Sequence, residues 1–503
     1  MAEQTQADIP QFFRVATQDD VAVALTDLDR DRIVQIDGQP IRLRDAIPRG
    51  HKFALRTMKA GDRVHRYRAP IGLATRAIAA GDHVHSHNLR TGLSGEVAYS
   101  AGARPVTVSA PCQTKPRSFE GYVRPDGRVG TRNEIWILPT VGCVGRLGER
   151  LARAGEAQFA GQVDGINAFN HPFGCSQLGA DLDGTAAVLA ALAQNPNAGG
   201  VLLLGLGCES NQLDGLIARI PEERRHRLRV LRAQSESDEF TAGMALLAQL
   251  VALASSDRRE TVPLSALRLG VKCGGSDAMS GLTANALIGR MADAVTSAGG
   301  TAILTEIPEI FGAEQFLMER AASEEVFARL AEVTNRFKRY FLDHGEPVSE
   351  NPSPGNIAGG ITTLEEKSLG AIQKGGMAPV MDVIDYGQQT RVAGLTVLEA
   401  PGNDAVSTTA LAAAGATMTL FSTGRGTPLG SPVPTLKIAS NSDLAVNKPG
   451  WIDFDAGTVF TAGMELCEAE LLDLIVATAS GKAARNEVNE ERAIGIWKRG
   501  VTL

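Results

Sequence analysis

One local design recurs along the chain and limits what it can fold into: an apolar run that stops abruptly on a glycine–cysteine turn rich in polar side chains. Leu267 to Val271 reads as a short buried strand, and Lys272-Cys273-Gly274-Gly275-Ser276-Asp277 follows it directly. Gly200 to Leu206 leads into Gly207-Cys208-Glu209-Ser210-Asn211-Gln212, and Glu134 to Val141 into Gly142-Cys143. Asn170-His171-Pro172-Phe173-Gly174-Cys175-Ser176-Gln177 is a fourth such turn, so four of the six cysteines sit in loops. Paired glycines let the backbone bend and let a ligand approach the main chain. Ser280 and Thr283 suit the start of the next helix, where unpaired N–H groups point outward. Strand, polar turn and helix in succession are the units of an open α/β sheet, whose ligands bind beyond the carboxyl ends of its strands.

At 503 residues the chain predicts two to four domains. The reading is a multidomain α/β protein. Residues 1–100 form a small all-β domain, 101–118 a Pro-containing linker with Cys112 as a bystander thiol, 119–262 a second α/β unit and 263–503 a third, with largely parallel sheets. In the first domain, Val21–Leu25, Ile33–Ile36 and Ile41–Leu43 are short β-like runs between Asp and Gly turns. In the third, one long helix is expected over 313–344. A charged stretch, 255–263, breaks the periodicity and reads as a hinge.

Several functions are excluded on general grounds. A net charge of −7 argues against nucleic-acid binding. No apolar span is long enough for a transmembrane helix, and the first residues lack a basic-then-apolar signal. The sparse cysteines lack the even framework of small secreted domains, so a reducing cytoplasm is expected. Gly205-Leu206-Gly207 followed by Ser210 is half a dinucleotide fingerprint, with no acidic strand end about 20 residues on, so NAD is not expected.

Candidate chemistry concentrates in a few places. His83, His85 and His87 alternate along a presumed strand, which would put three imidazoles on one face, within reach of one metal ion, with His51 beside Lys52 as a further ligand or base. The competing metal reading gathers Cys143, Cys175, Cys208 and Cys273 from neighbouring strand ends onto iron or an iron–sulfur cluster. Arg124, Arg128 and Arg132 lead into a strand with Asn133, and Thr423-Gly424-Arg425-Gly426-Thr427 has the glycines and arginine of an anion cradle, followed by Lys437.

The strings HPFGCSQLG, GLGCESNQ, KCGGSD with SGLTAN, TEIPEIFGAE, SPGN with AGGITTLEEKSLG, APGND, and FSTGRGTP with KIASNS resemble the altronate/galactarate dehydratase family, and its altronate branch more than its galactarate branch. GHKFAL and HVHSHN resemble that family's N-terminal β-clip module of the SAF type. The pattern departs at Ala278-Met279, where the family usually has Gly and an aromatic or aliphatic residue. The resemblance implies a hydro-lyase of hexuronate (galacturonate) catabolism. It would turn D-altronate into 2-dehydro-3-deoxy-D-gluconate, with galactarate or another small 2-hydroxy acid as the alternative substrate. It implies a divalent metal, Fe(II) first, with no NAD and no pyridoxal phosphate, and is compatible with a homo-oligomer. Lys52, His51, Lys272 and Asp277 are then the candidates for proton transfer. Arg132, Asn133, Gln177, Glu209, Ser276, Asn403, Asp404, Arg425 and Lys437 are candidates for holding the substrate, and His51, His85 and His87 for holding the metal.

Overall fold

The structure, a computed structural model, describes residues 10–100 and 117–503. The stretch 101–116, with Cys112 and most of the expected linker, lies outside the described residues.

The N-terminal region is built of short antiparallel strands. Phe12–Phe13, Val21–Ala24, Lys52–Ala54 and His83–Val84 form one sheet. Arg63–Arg66, Ala69–Ala74 and Leu89–Arg90 form another, and Ile33–Ile36 pairs with Gln39–Arg42 as a hairpin. The turns between them repeat one device. Asp62 accepts a hydrogen bond from the Lys59 amide (2.8 Å) and Asp82 one from the Ala79 amide (2.7 Å). Gly81 must be glycine: its φ is +88°, and a Cβ there would lie 2.1 Å from the Arg42 carbonyl oxygen.

A four-stranded parallel sheet follows, in the order Gly165–Ala168, Glu134–Pro139, Ala198–Gly205, Leu228–Arg232. Its inner strands are apolar on both faces because helices Gly145–Gln158, Gly179–Leu192 and Glu239–Ala254 cover them. The expected hinge is corrected here. Arg259–Pro263 is a strand, paired antiparallel with Ser118–Val123, which itself pairs with Val129–Gly130. Its charges face out while Val262 packs inward.

The third region is a seven-stranded parallel sheet, ordered Val380–Ile384, Gly394–Leu398, Thr301–Leu304, Arg268–Cys273, Met418–Thr423, Thr435–Ala439, Phe454–Asp455. From Arg268–Cys273 the chain adds Thr301–Leu304, then the edge strand Val380–Ile384 and Gly394–Leu398 between them on one side, then crosses over to add Met418–Thr423 on the other. The crevice between those two strands is the topological switch point. The single long helix expected over 313–344 is two, Glu314–Met318 and Glu324–Asp343, because the Ser323 side chain accepts from the Val326 amide and starts a new helix. The C-terminal residues fold back over the second sheet: the Arg499 and Gly500 amides donate to Asp181, and the Leu503 amide to the Ser176 carbonyl. No helix among the described residues is long and apolar enough to cross a membrane.

Candidate functional site

The switch-point crevice holds a buried network of alternating charge. Lys272, the next-to-last residue of the central strand, is completely buried and donates to Glu306 (2.7 Å) and Asp404 (2.6 Å). Glu306 also accepts from the Cys273 amide (3.1 Å) and from Lys374 (2.8 Å). Lys374 reaches the Cys273 sulfur (2.7 Å), and the Cys273 thiol donates to Glu309 (3.3 Å). Lys367 closes the chain, donating to Glu309 (2.8 Å) and Asn351 (2.9 Å). Glu306 is held at φ +71°, a left-handed backbone that non-glycine residues seldom adopt, as happens where the surrounding structure fixes a functional group. Asp404 is the member nearest solvent, its side chain 36% exposed. An open pocket beside it is lined by Asn351, Gly402, Asn403, Tyr340 and Trp497.

The electrostatics follow from burial and pairing. Burial pushes the Glu306 carboxyl up, but Lys272 and Lys374 outweigh it and hold it at about 2. Burial, then Glu306, pushes the Cys273 thiol up to about 12, so it stays protonated. Burial works against the charge on Lys272 and Lys374, yet the facing acidic groups keep both above the usual lysine range. Lys437 is different. Burial dominates and lowers it to about 8, and its ammonium donates only to the Pro428 carbonyl (3.1 Å) among the described residues. Lys272 and Lys437 share the Phe421 ring, at 5.4 and 5.8 Å from its centroid.

The N-terminal region closes over this edge through a second buried network. Lys52 and Arg66 both donate to Glu366 (2.9 and 2.6 Å), and Lys52 also to the Gly360 carbonyl (2.7 Å). Arg66 reaches the Ala278 carbonyl (3.1 Å). Burial raises the Glu366 carboxyl, but Lys52 and Arg66 overcome it and bring it to about 2. Ala278 and Met279, the departure from the family pattern, lie outside the left-handed region, so no glycine is required there.

The histidines meet at the same junction, by a route other than the one expected. Only His83–Val84 is strand; residues 85–88 turn, with the Asn88 and Leu89 amides donating to the His85 carbonyl. The turn, rather than strand alternation, brings the rings together. His51 Nδ1 and His83 Nε2 are 3.0 Å apart, His51 and His85 stack at 4.8 Å, and His87 stands on the exposed side, 5.4 Å from His83. His85 Nε2 is 3.1 Å from the Ile357 carbonyl oxygen. Burial lowers His51, His83 and His85, His83 to about 4, which keeps the three neutral near pH 7. The neighbouring Asn356 accepts from Lys367 (3.4 Å), which connects the histidines to the charged network.

Two groups of side chains can be tested against a divalent metal. Ligand atoms of Cys273, Glu306 and Glu309 lie within 4.8 Å of one another, a spacing that could hold an ion. Their charge is already balanced, however: Lys272, Lys367 and Lys374 face Glu306, Glu309 and Asp404, and the thiol is neutral. The histidines offer a pair of ligands. Each neutral imidazole has one bare nitrogen, and two cis ligands about 2.1 Å from one ion stand about 3.0 Å apart, the spacing of His51 and His83, though no three histidines among the described residues bring ligand atoms within 4.8 Å of one another.

The other expected site residues divide. Asn403, Asp404, Arg425 and Lys437 come to the C-terminal edge of the seven-stranded sheet with Lys272. Asn403 caps helix Asp404–Ala413 and Arg425 is exposed. Ser276 is buried and its carbonyl accepts from Asn356 (2.7 Å). Asp277 accepts from Ser280, Ser440 and Asn441, which ties two loops together. Arg132 is corrected to a structural clamp. Its five donors are all taken, by Glu487 and the carbonyls of Thr131, Thr478 and Lys482. Asn133 is likewise spent on Arg124 and Ala254. Gln177 and Glu209 brace the loops of Cys175 and Cys208 through the amides of Gly174, Leu206 and Gly207. The four cysteines do not gather. Cys273 is buried in the third region, whereas Cys143, Cys175 and Cys208 stand at the edge of the second sheet. Lys367, Lys374, Arg66 and Glu366 went unnoticed in the sequence, where a buried charged residue looks like any exposed one.

Known proteins match in the same order along the chain. The altronate/galactarate dehydratase SAF domain family matches residues 10–92. The second domain of D-galactarate dehydratase/altronate hydrolase matches 121–255, and the C-terminal domain of D-galactarate/altronate dehydratase 264–502. An altronate dehydratase of Escherichia coli (strain K12) is 48% identical over 497 residues, covering 98% of this chain and 100% of its own. One of Bacillus subtilis (strain 168) is 45% identical over 496 residues, covering 98% and 99%. A galactarate dehydratase (L-threo-forming) of E. coli is 33% identical over 492 residues, covering 94% and 93%.

Proposed function

The chain belongs to the altronate/galactarate dehydratase family, and on that premise we propose that it is a hydro-lyase removing water from D-altronate to give 2-dehydro-3-deoxy-D-gluconate. The observation that carries the choice of substrate is the gap in identity, 48% and 45% to two altronate dehydratases against 33% to a galactarate dehydratase, each over nearly the whole chain.

The reaction removes the proton at C2, breaks the C3–O bond and releases water; the enol formed becomes the 2-keto acid. The C2 proton is weakly acidic beside a carboxylate, so its removal needs cations around the developing aci-carboxylate. Lys272, fixed in its charged form by Glu306 and Asp404, and the exposed guanidinium of Arg425 supply them. Lys437 is our choice of base. Lowered to about 8, it is the lysine at this edge able to take up and release a proton near neutral pH. Asn403 lines the open pocket, Asp404 follows it in sequence, and the two orient the polyol. The N-terminal domain packs against this region through Lys52 and Arg66 on Glu366. His51 and His83, with His85 beside them, would hold a divalent ion, Fe(II) first, which when bound supplies Lewis-acid help to the departing hydroxyl.

The test is a 2-keto acid assay on D-altronate, galactarate and their epimers, with ferrous iron and reductant. Turnover of D-altronate at least tenfold above galactarate is expected. Turnover of galactarate alone would move the activity to the other branch.

A further inference from the structure

The second sheet carries a thiol-lined edge that the proposed reaction does not use. Its strands Gly165–Ala168, Glu134–Pro139 and Ala198–Gly205 are parallel and adjacent, and each is followed by a loop with one cysteine: Cys175, Cys143 and Cys208. Sequence order reverses between the second and third of these strands, so this edge is also a switch point.

The three loops are pressed together. Each cysteine follows a glycine. A Cβ on Gly174 would lie 2.2 Å from the Thr140 carbonyl oxygen, and one on Gly142 would lie 3.0 Å from the His171 carbonyl oxygen, while Gly207 holds φ +132°. Hydrogen bonds bind the loops to one another: the Gly142 amide to Phe173 (2.9 Å), the Asn211 amide to Gly174 (2.9 Å), and Thr140 to Glu209 (2.6 Å). Two donors point at the sulfurs, the Ser210 amide at Cys175 (3.4 Å) and Gln234 at Cys208 (3.5 Å). Cys143 and Cys208 are exposed, Cys175 is half-buried, and Cys143 and Cys175 line one open pocket.

We propose that Cys143, Cys175 and Cys208 are the three protein ligands of an iron–sulfur cluster, with one iron left open to a non-protein ligand. Three thiols on three braced loops are the soft donor set such a cluster takes, and hydrogen bonds to the sulfurs accompany it. The spacing argues against a single ion held by all three sulfurs. Among the described residues these sulfurs do not all fall within 4.8 Å of one another, whereas a tetrahedral ion with thiolates at about 2.3 Å holds them about 3.8 Å apart. Cys273 is not a fourth ligand, since Lys374 and Glu309 enclose it in the other sheet. His171 in the same pocket is engaged through both nitrogens, with the Pro139 carbonyl and the Phe173 amide. Each thiol gives up its proton to solvent as its sulfur binds iron. The centre is separate from the histidines, so it goes beyond the reading of the activity.

The experiment uses the full chain, purified without oxygen and incubated with equal ferric and ferrous iron and inorganic sulfide. Bound iron, acid-labile sulfide, visible absorption and thiol alkylation are then measured. The wild type is expected to bind iron and labile sulfide in equal amounts and to protect these three cysteines from alkylation. Cys143→Ser, Cys175→Ser and Cys208→Ser should each lower labile sulfide at least tenfold, while Cys467→Ser and His51→Ala leave it unchanged. Labile sulfide retained by the triple serine variant overturns the assignment. So do three freely alkylated thiols in the treated wild type, and so does a single metal ion bound without sulfide. The alkylation result needs no variant, so a serine protein that fails to fold does not block the test.

Discussion

Replacing Glu366 by Gln should loosen the N-terminal domain from the sheet edge more than removing either of its cationic partners. Glu366, Lys52 and Arg66 are all buried, so Glu366→Gln leaves two buried cations without their counter-charge. Breaking a buried pair in this way costs about 3–5 kcal/mol. The carboxyl itself gives a second figure. A fall from 4.5 to about 2 corresponds to about 3 kcal/mol for a fully buried group. Lys52→Met is milder. Glu366 keeps Arg66 and the amide and hydroxyl of Thr362, so the loss is one charge-assisted bond and an orphaned Gly360 carbonyl, about 2 kcal/mol.

Amide hydrogen exchange in Lys52–Ala54 and in 362–367 reads this directly, because local opening sets the rate. About 3 kcal/mol makes exchange about 150-fold faster in Glu366→Gln, and Lys52→Met should fall well short of that. The pH dependence has a definite sign. A carboxyl whose folded value is lowered contributes stability that is complete above about 4.5 and lost as pH falls toward about 2. Wild-type exchange at these amides should therefore accelerate relative to the intrinsic rate across that window, and Glu366→Gln should lack that step. Equal exchange in wild type and Glu366→Gln, or a larger effect from Lys52→Met, would refute the claim that this triad fastens the domains.

Three further outcomes are expected. If Lys437 is the base, kcat/KM should rise with pH through about 8, and Lys437→Met should lower kcat about 10²–10⁴-fold with KM little changed. His51→Ala and His83→Ala should each abolish binding of ferrous iron in calorimetry, whereas His87→Ala, on the exposed side, should bind within a few-fold of wild type. Residues 1–100 and 115–503 made as separate chains should each be inactive, since the Lys52–Glu366 and Arg66–Glu366 pairs cross from one to the other; full activity of the longer piece alone would overturn the shared site.

The sequence revealed the scaffold of this site better than its charges, and the reason is physical. A parallel strand covered on both faces is apolar throughout, so Leu267 to Val271 and Gly200 to Leu206 announce themselves, and the polar turn after each marks the ligand edge. The histidines were found through proximity in sequence, although the backbone joining them is a turn rather than a strand. Arg132 misled because an arginine in a Gly-rich loop looks the same whether its donors meet a substrate carboxylate or Glu487 some 350 residues on.

The buried lysines pose the harder problem, since nothing local distinguishes them. Lys367 lies in a helix that reads Leu364-Glu365-Glu366-Lys367-Ser368, the pattern of a solvated surface helix, yet each of these residues is buried. Local rules fail there because the helix is covered on two sides: by the N-terminal domain through Glu366, and by the sheet edge through Lys367 and Glu309. A helix this polar can be buried only if its charges meet opposite charges from both neighbours. The requirement is mutual. Lys52 and Arg66 would be stranded cations in an isolated N-terminal domain, and Glu366 a stranded anion without them. Burial of this one short helix therefore commits the domains to a single docked arrangement, and that arrangement sets His85 against the Ile357 carbonyl, next in sequence to Asn356, which accepts from Lys367.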